Sequence, residues 1–397
     1  MLDSGLHEAQ SVARQQLYID RPVVDMPLLS LFSGSGGLDL GFERVGFRPL
    51  LALDSSKTAV ETYNWNRRRS GHSPAQVADL SEEDPVQIAR RWEEHVGCRV
   101  TPGGIIGGPP CQAFSASNVH QLEDDPRSKL PLAYAGILKY FNQRYGLDFF
   151  LFENVAGLGH RPHSTSLSLF LEAFADAGFD ITLLTLDAAD YGVPQHRKRL
   201  FILGFNSTRY PGLVYGHPQK SHLVTTVEDA IGHLREREPV RYRRGHCDPR
   251  QHGLHPNHWC MNPRSSRFTD GSLTPGETRS RPFRRLRWDK RSWTVAYGHR
   301  EVHVHPDGHR RLSVYEAMLL QSFPPAYELR GTLSQQISLV SDAVPPLLAQ
   351  ALATSIATAL QVSAVLPEPN KHHRTTGQLV QEGLRGVQMV APKSTSA

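Results

Sequence analysis

Cysteine is scarce in this chain. Its four thiols, Cys98, Cys111, Cys247 and Cys260, match no disulfide framework in 397 residues. A chain of this length can bury its own core and needs no such staples. Reduced thiols in a cytoplasmic compartment are expected. Long apolar runs are missing too. None approaches the roughly 20 residues that cross a bilayer, so no membrane association is expected. The first 25 residues carry acids and no continuous apolar stretch, and no secretory leader is expected there. Internal repeats are absent. Charge of one sign barely dominates: the net charge is +5. That excess is too small to name a nucleic-acid partner, and where the charge lies matters more.

What is present is an alternation. Leu28-Leu29-Ser30-Leu31-Phe32 reads as a buried strand, followed by a glycine-rich turn and a helix over 38–45. Residues 49–54 read as a second strand ending in an acid. Further strands are expected over 104–107, 148–152, 181–186 and 199–204, with a helix over 167–177 stopped by Gly178. Strands alternating with helices imply an α/β fold with a mostly parallel sheet covered on both faces.

From Asn206 to about Arg310 the pattern weakens, and Arg, His, Pro and Gly become frequent. Arg235, Arg237, Arg241, Arg243 and Arg244 form one basic cluster. A second gathers Arg279, Arg281, Arg284, Arg285, Arg287, Lys290 and Arg291, with Phe283, Trp288 and Trp293 interleaved. Regular pattern returns at Ser313, whose spacing to Glu316 fits a capping box. That helix is expected to run to Phe323 before Pro324-Pro325. A last helix is expected from about Pro346 to Leu360. Beyond Leu366 the chain is polar and reads as a disordered tail.

Four strand ends carry candidate chemistry. Phe32-Ser33-Gly34-Ser35-Gly36-Gly37 lies between strand and helix, where glycines let the backbone turn close to a ligand. A glycine turn alone also suits a nicotinamide enzyme, or no ligand at all. Asp54 at the next strand tip can accept from ribose hydroxyls. Asp79 lies at a third strand end, where an acid could meet an adenine amino group. The three in this order favour an adenosine ligand. Gly107-Gly108-Pro109-Pro110-Cys111-Gln112 holds Cys111 on a stiff turn at a strand end. A lone cysteine is usually a small buried hydrophobe; this context favours a nucleophile. Glu153-Asn154-Val155 ends another strand, and Gln195-His196-Arg197-Lys198-Arg199 precedes one.

These motifs, in this order, resemble the DNA (cytosine-5)-methyltransferase family of bacterial restriction–modification systems. Arg311-Leu312-Ser313 through Glu316 to Leu320-Gln321-Ser322-Phe323-Pro324 and Ser341-Asp342-Ala343-Val344-Pro345-Pro346 match that family's last two signatures. The resemblance covers about residues 28–360. It implies a Rossmann-like S-adenosylmethionine-dependent methyltransferase fold with a smaller irregular target-recognition domain. The implied division is an N-terminal extension (1–26), a catalytic and cofactor-binding domain (27–205), target recognition (206–310), a return to the catalytic domain (311–364) and a tail (365–397). Cys111, Glu153, Arg197 and Arg199 are the implied catalytic residues. Phe32, Gly34, Gly36, Gly37, Asp54, Asp79, Pro109 and Asp342 are the implied cofactor contacts. The partner is double-stranded DNA with the base flipped out, and the loop 113–129 is the implied lid. A monomer bound to the bacterial nucleoid through DNA is expected, with a companion endonuclease as a family-level expectation.

Two departures stand out. The last signature usually reads Gly-Asn where this chain has Ser341-Asp342, and Asp54 replaces the usual Glu. Cys247, His252, His255, His258 and Cys260 lie close in sequence. They lack a Cys-x-x-Cys pair, and no metal is expected. The competing readings are a transfer-RNA methyltransferase of the same fold and an inactive DNA-binding module. The long basic insertion, which lacks a Cys-Phe-Thr sequence, argues against the first. Intact Cys111, Glu153 and Arg197 argue against the second.

Overall fold

The computed structural model describes residues 24–68, 71, 73–110, 130–241, 248–262, 265–276, 283–295 and 303–365. Cys111, the loop 113–129, Cys247 and the tail lie outside the described residues, as does most of the N-terminal extension.

Seven strands form one sheet: β1 (Met26–Leu31), β2 (Phe47–Asp54), β3 (Ala75–Val77), β4 (Gly104–Gly107), β5 (Phe149–Val155), β6 (Phe179–Asp187) and β7 (Lys198–Asn206). Their order across the sheet is β3-β2-β1-β4-β5-β7-β6. The first five run parallel, and β7 is antiparallel to both neighbours. The sheet is thus mostly parallel, as its apolar runs imply.

Those runs feed two layers because successive side chains point to opposite faces. In β5, Phe150 and Phe152 enter one apolar cluster, while Phe149 and Leu151 enter the other. The first face is covered by α3 (Pro85–Val96), α4 (Leu130–Tyr145) and α5 (Ser164–Asp176), which contribute Trp92, Phe141 and Phe174. The second is covered by α1 (Gly37–Glu43) and α9 (Pro346–Val365), with Phe42 and Leu352 fully buried. The helix α2 (Lys57–Arg67) packs at the β2–β3 edge. The run 333–362 is long and apolar enough to cross a membrane, yet 67% of its most apolar window is buried inside the protein.

A third cluster joins the two sides of position 310. Val227 and Ile231 from α6 (Val227–Ile231), together with Leu286 and Val295, pack against α7 (Val314–Leu320) and α8 (Leu333–Asp342). The capping box forms as its spacing implies: Glu316 N donates to Ser313 Oγ at 3.0 Å, and Ser313 N donates to Glu316 Oε2 at 2.7 Å. The helix ends earlier than expected, at Leu320, and Ser322 then turns with a left-handed φ of 64°. A two-stranded ribbon pairs β8 (Val240–Arg241) with β9 (Trp259–Cys260).

Candidate active site

In the order β2-β1-β4-β5 the chain reverses direction across the sheet between β1 and β4, so a crevice opens at their C-terminal ends. A cleft of about 880 Å³ occupies it. Its walls come from the turn after β1, the tips of β2, β4 and β5, the start of β7, and one side of α8. Because β7 is antiparallel to β5, its first residues lie at this edge: Val155 pairs with Arg199. That topology explains how a motif preceding a strand meets motifs that follow strands.

The turn after β1 is wound tightly. Phe32, Gly34 and Gly36 have φ of 54°, 53° and 78°. For phenylalanine this left-handed conformation is strained, and such strain clusters at ligand sites. Gly34 N donates to Asp54 Oδ2 at 2.8 Å, and Ser56 N donates to Asp54 Oδ1 at 2.8 Å. The two amides fix the Asp54 carboxylate at the β2 tip and leave its outer lone pairs for hydroxyl donors. Burial pushes its pKa up against those two bonds. Gly37 abuts the Val344 carbonyl, where any side chain would collide. Asp79 also lines the cleft, though β3 already ends at Val77. Ser81 donates to Asp79 Oδ1 through both its amide and its hydroxyl, at 3.0 and 2.6 Å.

The other half of the cleft carries Glu153. It is 8% exposed, and Arg199 Nε lies 2.9 Å from its Oε1. Burial raises its pKa. Arg199 and then Arg197 oppose that rise, and Asp342 adds to it. A carboxyl so placed can hold a proton that an exposed one would lose. Gly108 fits beside it because a Cβ there would stand 2.6 Å from Glu153 Oε2. Pro109 and Pro110 continue the same wall towards position 111.

The two arginines of the β7 motif separate. Arg199 faces the cleft. Arg197 is fully buried behind it, donating from Nη2 to the Ser341 carbonyl at 2.6 Å and from Nη1 to the Val295 carbonyl at 3.4 Å. It therefore ties the sheet to the end of α8 and to the segment 283–295, and its field reaches Glu153. Asp342 closes α8 with its side chain accessible to the cleft. The surrounding walls remove enough water to raise its pKa, with Arg197 and Arg199 opposing.

Several lining groups had no role assigned from the sequence. Ser33 Oγ and Asn154 Nδ2 are buried with no protein partner among the described residues. Asp39, on the inner side of α1, accepts from Tyr63 Oη at 2.9 Å. Ser334, Gln335, Ser338 and Leu339 share one face of α8, a helix the sequence reading passed over. Its signal was available: Thr332 and Gln335 form a reciprocal capping box.

The Cys/His segment adopts another arrangement. The ring nitrogens of His258 bond Ser313 Oγ at 2.9 Å and the Arg237 carbonyl at 2.8 Å. His255 stacks on Tyr315 at 3.9 Å, and burial raises the Cys260 thiol to about 11. The arginine-and-aromatic interleaving also has an internal use. Arg235 lies over Trp288 at 4.3 Å, Arg284 over Trp293 at 5.5 Å, and Arg311 over Phe268 and Phe283 at 5.3 and 5.2 Å.

The family model for C-5 cytosine-specific DNA methylases matches residues 26–358. The chain belongs to that family. It is 31% identical to the Type II methyltransferase M.MthTI of Methanothermobacter thermautotrophicus over 84% of this chain and 97% of that one. It is 30% identical to the Type II methyltransferase M.FnuDI of Fusobacterium nucleatum over 83% and 94%. The solved structure of a DNA modification methyltransferase encoded within an E. coli prophage shares the fold, with a TM-score of 0.69 at 22% identity over 85% of this chain and 99% of that one. The chain is therefore a DNA (cytosine-5)-methyltransferase, and S-adenosylmethionine is the methyl donor of its family.

The cleft fits that donor. It has a strained glycine turn, a fixed carboxylate at the β2 tip, an acid beyond β3 and two buried polar atoms awaiting partners.

Proposed function

We propose that this enzyme methylates carbon 5 of one cytosine within a specific DNA sequence, through a covalent bond from Cys111 to carbon 6 of the base. The observation that carries the reading is the meeting of Glu153, Arg199 and the Pro109-Pro110 turn in one cleft with the glycine turn of β1. The turn after β1, Asp54, Asp79 and Asp342 would hold the donor, which supplies an electrophilic methyl group. Glu153 lies too deep for a base stacked in a duplex, so the cytosine must swing out to reach it.

Within the cleft, the Cys111 thiolate would bond to carbon 6 and push the ring electrons towards carbon 5. Glu153, whose proton affinity burial raises, would donate to N3 and take up the charge that develops there. Arg199 would orient Glu153 and the base, and with Arg197 would favour the thiolate. After methylation, loss of the carbon 5 proton returns the electrons and breaks the carbon–sulfur bond. Residues 206–310 would read the target sequence. The Type II names of its relatives support a role in restriction–modification, alone or beside an endonuclease.

Duplexes carrying 5-fluorocytosine test the mechanism, because fluorine cannot leave carbon 5 as a proton does. The wild type is expected to form a covalent adduct that survives denaturing electrophoresis, and Cys111→Ser is expected to form none. An adduct with Cys111→Ser, or no methylation of sequence-diverse DNA by the wild type, would overturn the reading. Methyl transfer to transfer RNA in place of DNA would favour the RNA alternative.

A further inference from the structure

Among the described residues, five carboxyl groups line the cleft, those of Asp39, Asp54, Asp79, Glu153 and Asp342, against one guanidinium, Arg199. Arg199 is committed to Glu153 at 2.9 Å. The other acids are largely engaged as well. Asp39 accepts from Tyr63, Asp54 from two amides, and Asp79 from Ser81. Asp342, at the open end of α8, accepts from the side chain of its neighbour Ser341.

Its position is unfavourable for an anion in three ways. It closes α8 at the end where helix carbonyls concentrate negative charge. It stands within the field of Asp54, and the cleft walls strip part of the water from its carboxyl although the residue as a whole is exposed. A cation in the cleft would relieve all three. Ser33 Oγ and Asn154 Nδ2 point independently to a polar ligand. Their side chains are 8% and 2% exposed on the cleft wall, and both atoms lack a protein partner among the described residues.

The donor and its product differ by one charge. S-adenosylmethionine carries a sulfonium, and S-adenosylhomocysteine carries a neutral thioether. We propose that Asp342 is a specificity-determining residue that makes the cleft prefer the cationic donor over its neutral product. The proposal rests on the reading of the cleft as the donor site. Its consequence is ready product release and weak product inhibition.

Calorimetric titration of the full chain with each ligand, without DNA, tests it. The wild type is expected to bind donor about tenfold more tightly than product. Equal affinities, or a preference for product, overturn the proposal with no variant needed. Asp342→Asn is expected to weaken donor binding about tenfold and product binding less than about twofold. Equal losses for both ligands overturn it, because both carry the amino-acid tail and only one carries the sulfonium. Asp342→Glu is expected to restore the preference, and a preference lost in that variant too counts against charge as the cause. Wild-type protein that binds neither ligand overturns the donor-site reading and this proposal with it.

Discussion

Asp39 is a carboxyl enclosed by protein: 1% exposed, facing inward from α1, with Tyr63 donating to it. Burial pushes its pKa up from 3.8 to about 6 against the pull of Arg67. Folding therefore favours the protonated form. The stability this contributes is fully present below about pH 4 and is lost as pH rises through about 6. A shift of that size corresponds to about 3 kcal/mol. Asp39→Asn cannot ionise and can still accept from Tyr63. Relative to the wild type it should gain up to about 3 kcal/mol between pH 4 and pH 7, read from urea unfolding at each pH. Parallel stability curves for the two proteins would show that Asp39 stays ionised throughout. Glu153 obeys the same sign, and there a raised proton affinity would serve the proposed chemistry.

At the scale of elements, α1 packs closely against α9. Gly41 faces Ala349 and Gln350 so closely that a Cβ would overlap the α9 backbone. Backbone cannot step aside as a flexible side chain can, so Gly41→Ala should cost about 1–3 kcal/mol or more. Thermal unfolding would register it, and an unchanged midpoint would mean that the two helices separate without penalty. The strands were legible because both faces of the sheet are buried, which writes each strand as a short apolar run. The edge of the site was legible because glycine and proline mark its turns. The helix α8 was passed over although Leu333, Ile337 and Val340 recur at helical spacing; its other face, with Ser334, Gln335 and Ser338, is polar because it lines the cleft. The unequal fates of Arg197 and Arg199 were illegible for a different reason. Residues two apart face the same way only where the strand is regular, and Arg197 stands just before β7 begins. The Arg-and-Trp pattern named a charge but not its partners, which lie within the same segment.

For the whole molecule, the count of arginines between 206 and 310 overstates the charge free to meet DNA. Arg285 donates to the carbonyls of Pro306 and Leu273, both at 2.8 Å, and Arg287 pairs with Asp289 at 2.7 Å. Arg285→Gln should therefore lower stability by about 1–3 kcal/mol, by leaving those carbonyls short of donors. The salt dependence of DNA affinity should be unchanged in that variant. Each arginine that neutralises a phosphate adds about one to the slope of log affinity against log salt, so a slope reduced by about one would place Arg285 on the DNA backbone.

The cleft is assembled from the two extremes of the described chain. Its floor belongs to residues 30–39, and the wall that closes over Gly37 belongs to residues 334–344. A ribosome delivers these pieces some three hundred residues apart. A nascent chain carrying every strand of the sheet still lacks one wall of the cleft until α8 emerges. Prematurely terminated products of this gene would then be unable to mark DNA, so the mark would be written only by a protein whose residues 206–310, the proposed reading segment, have already been made.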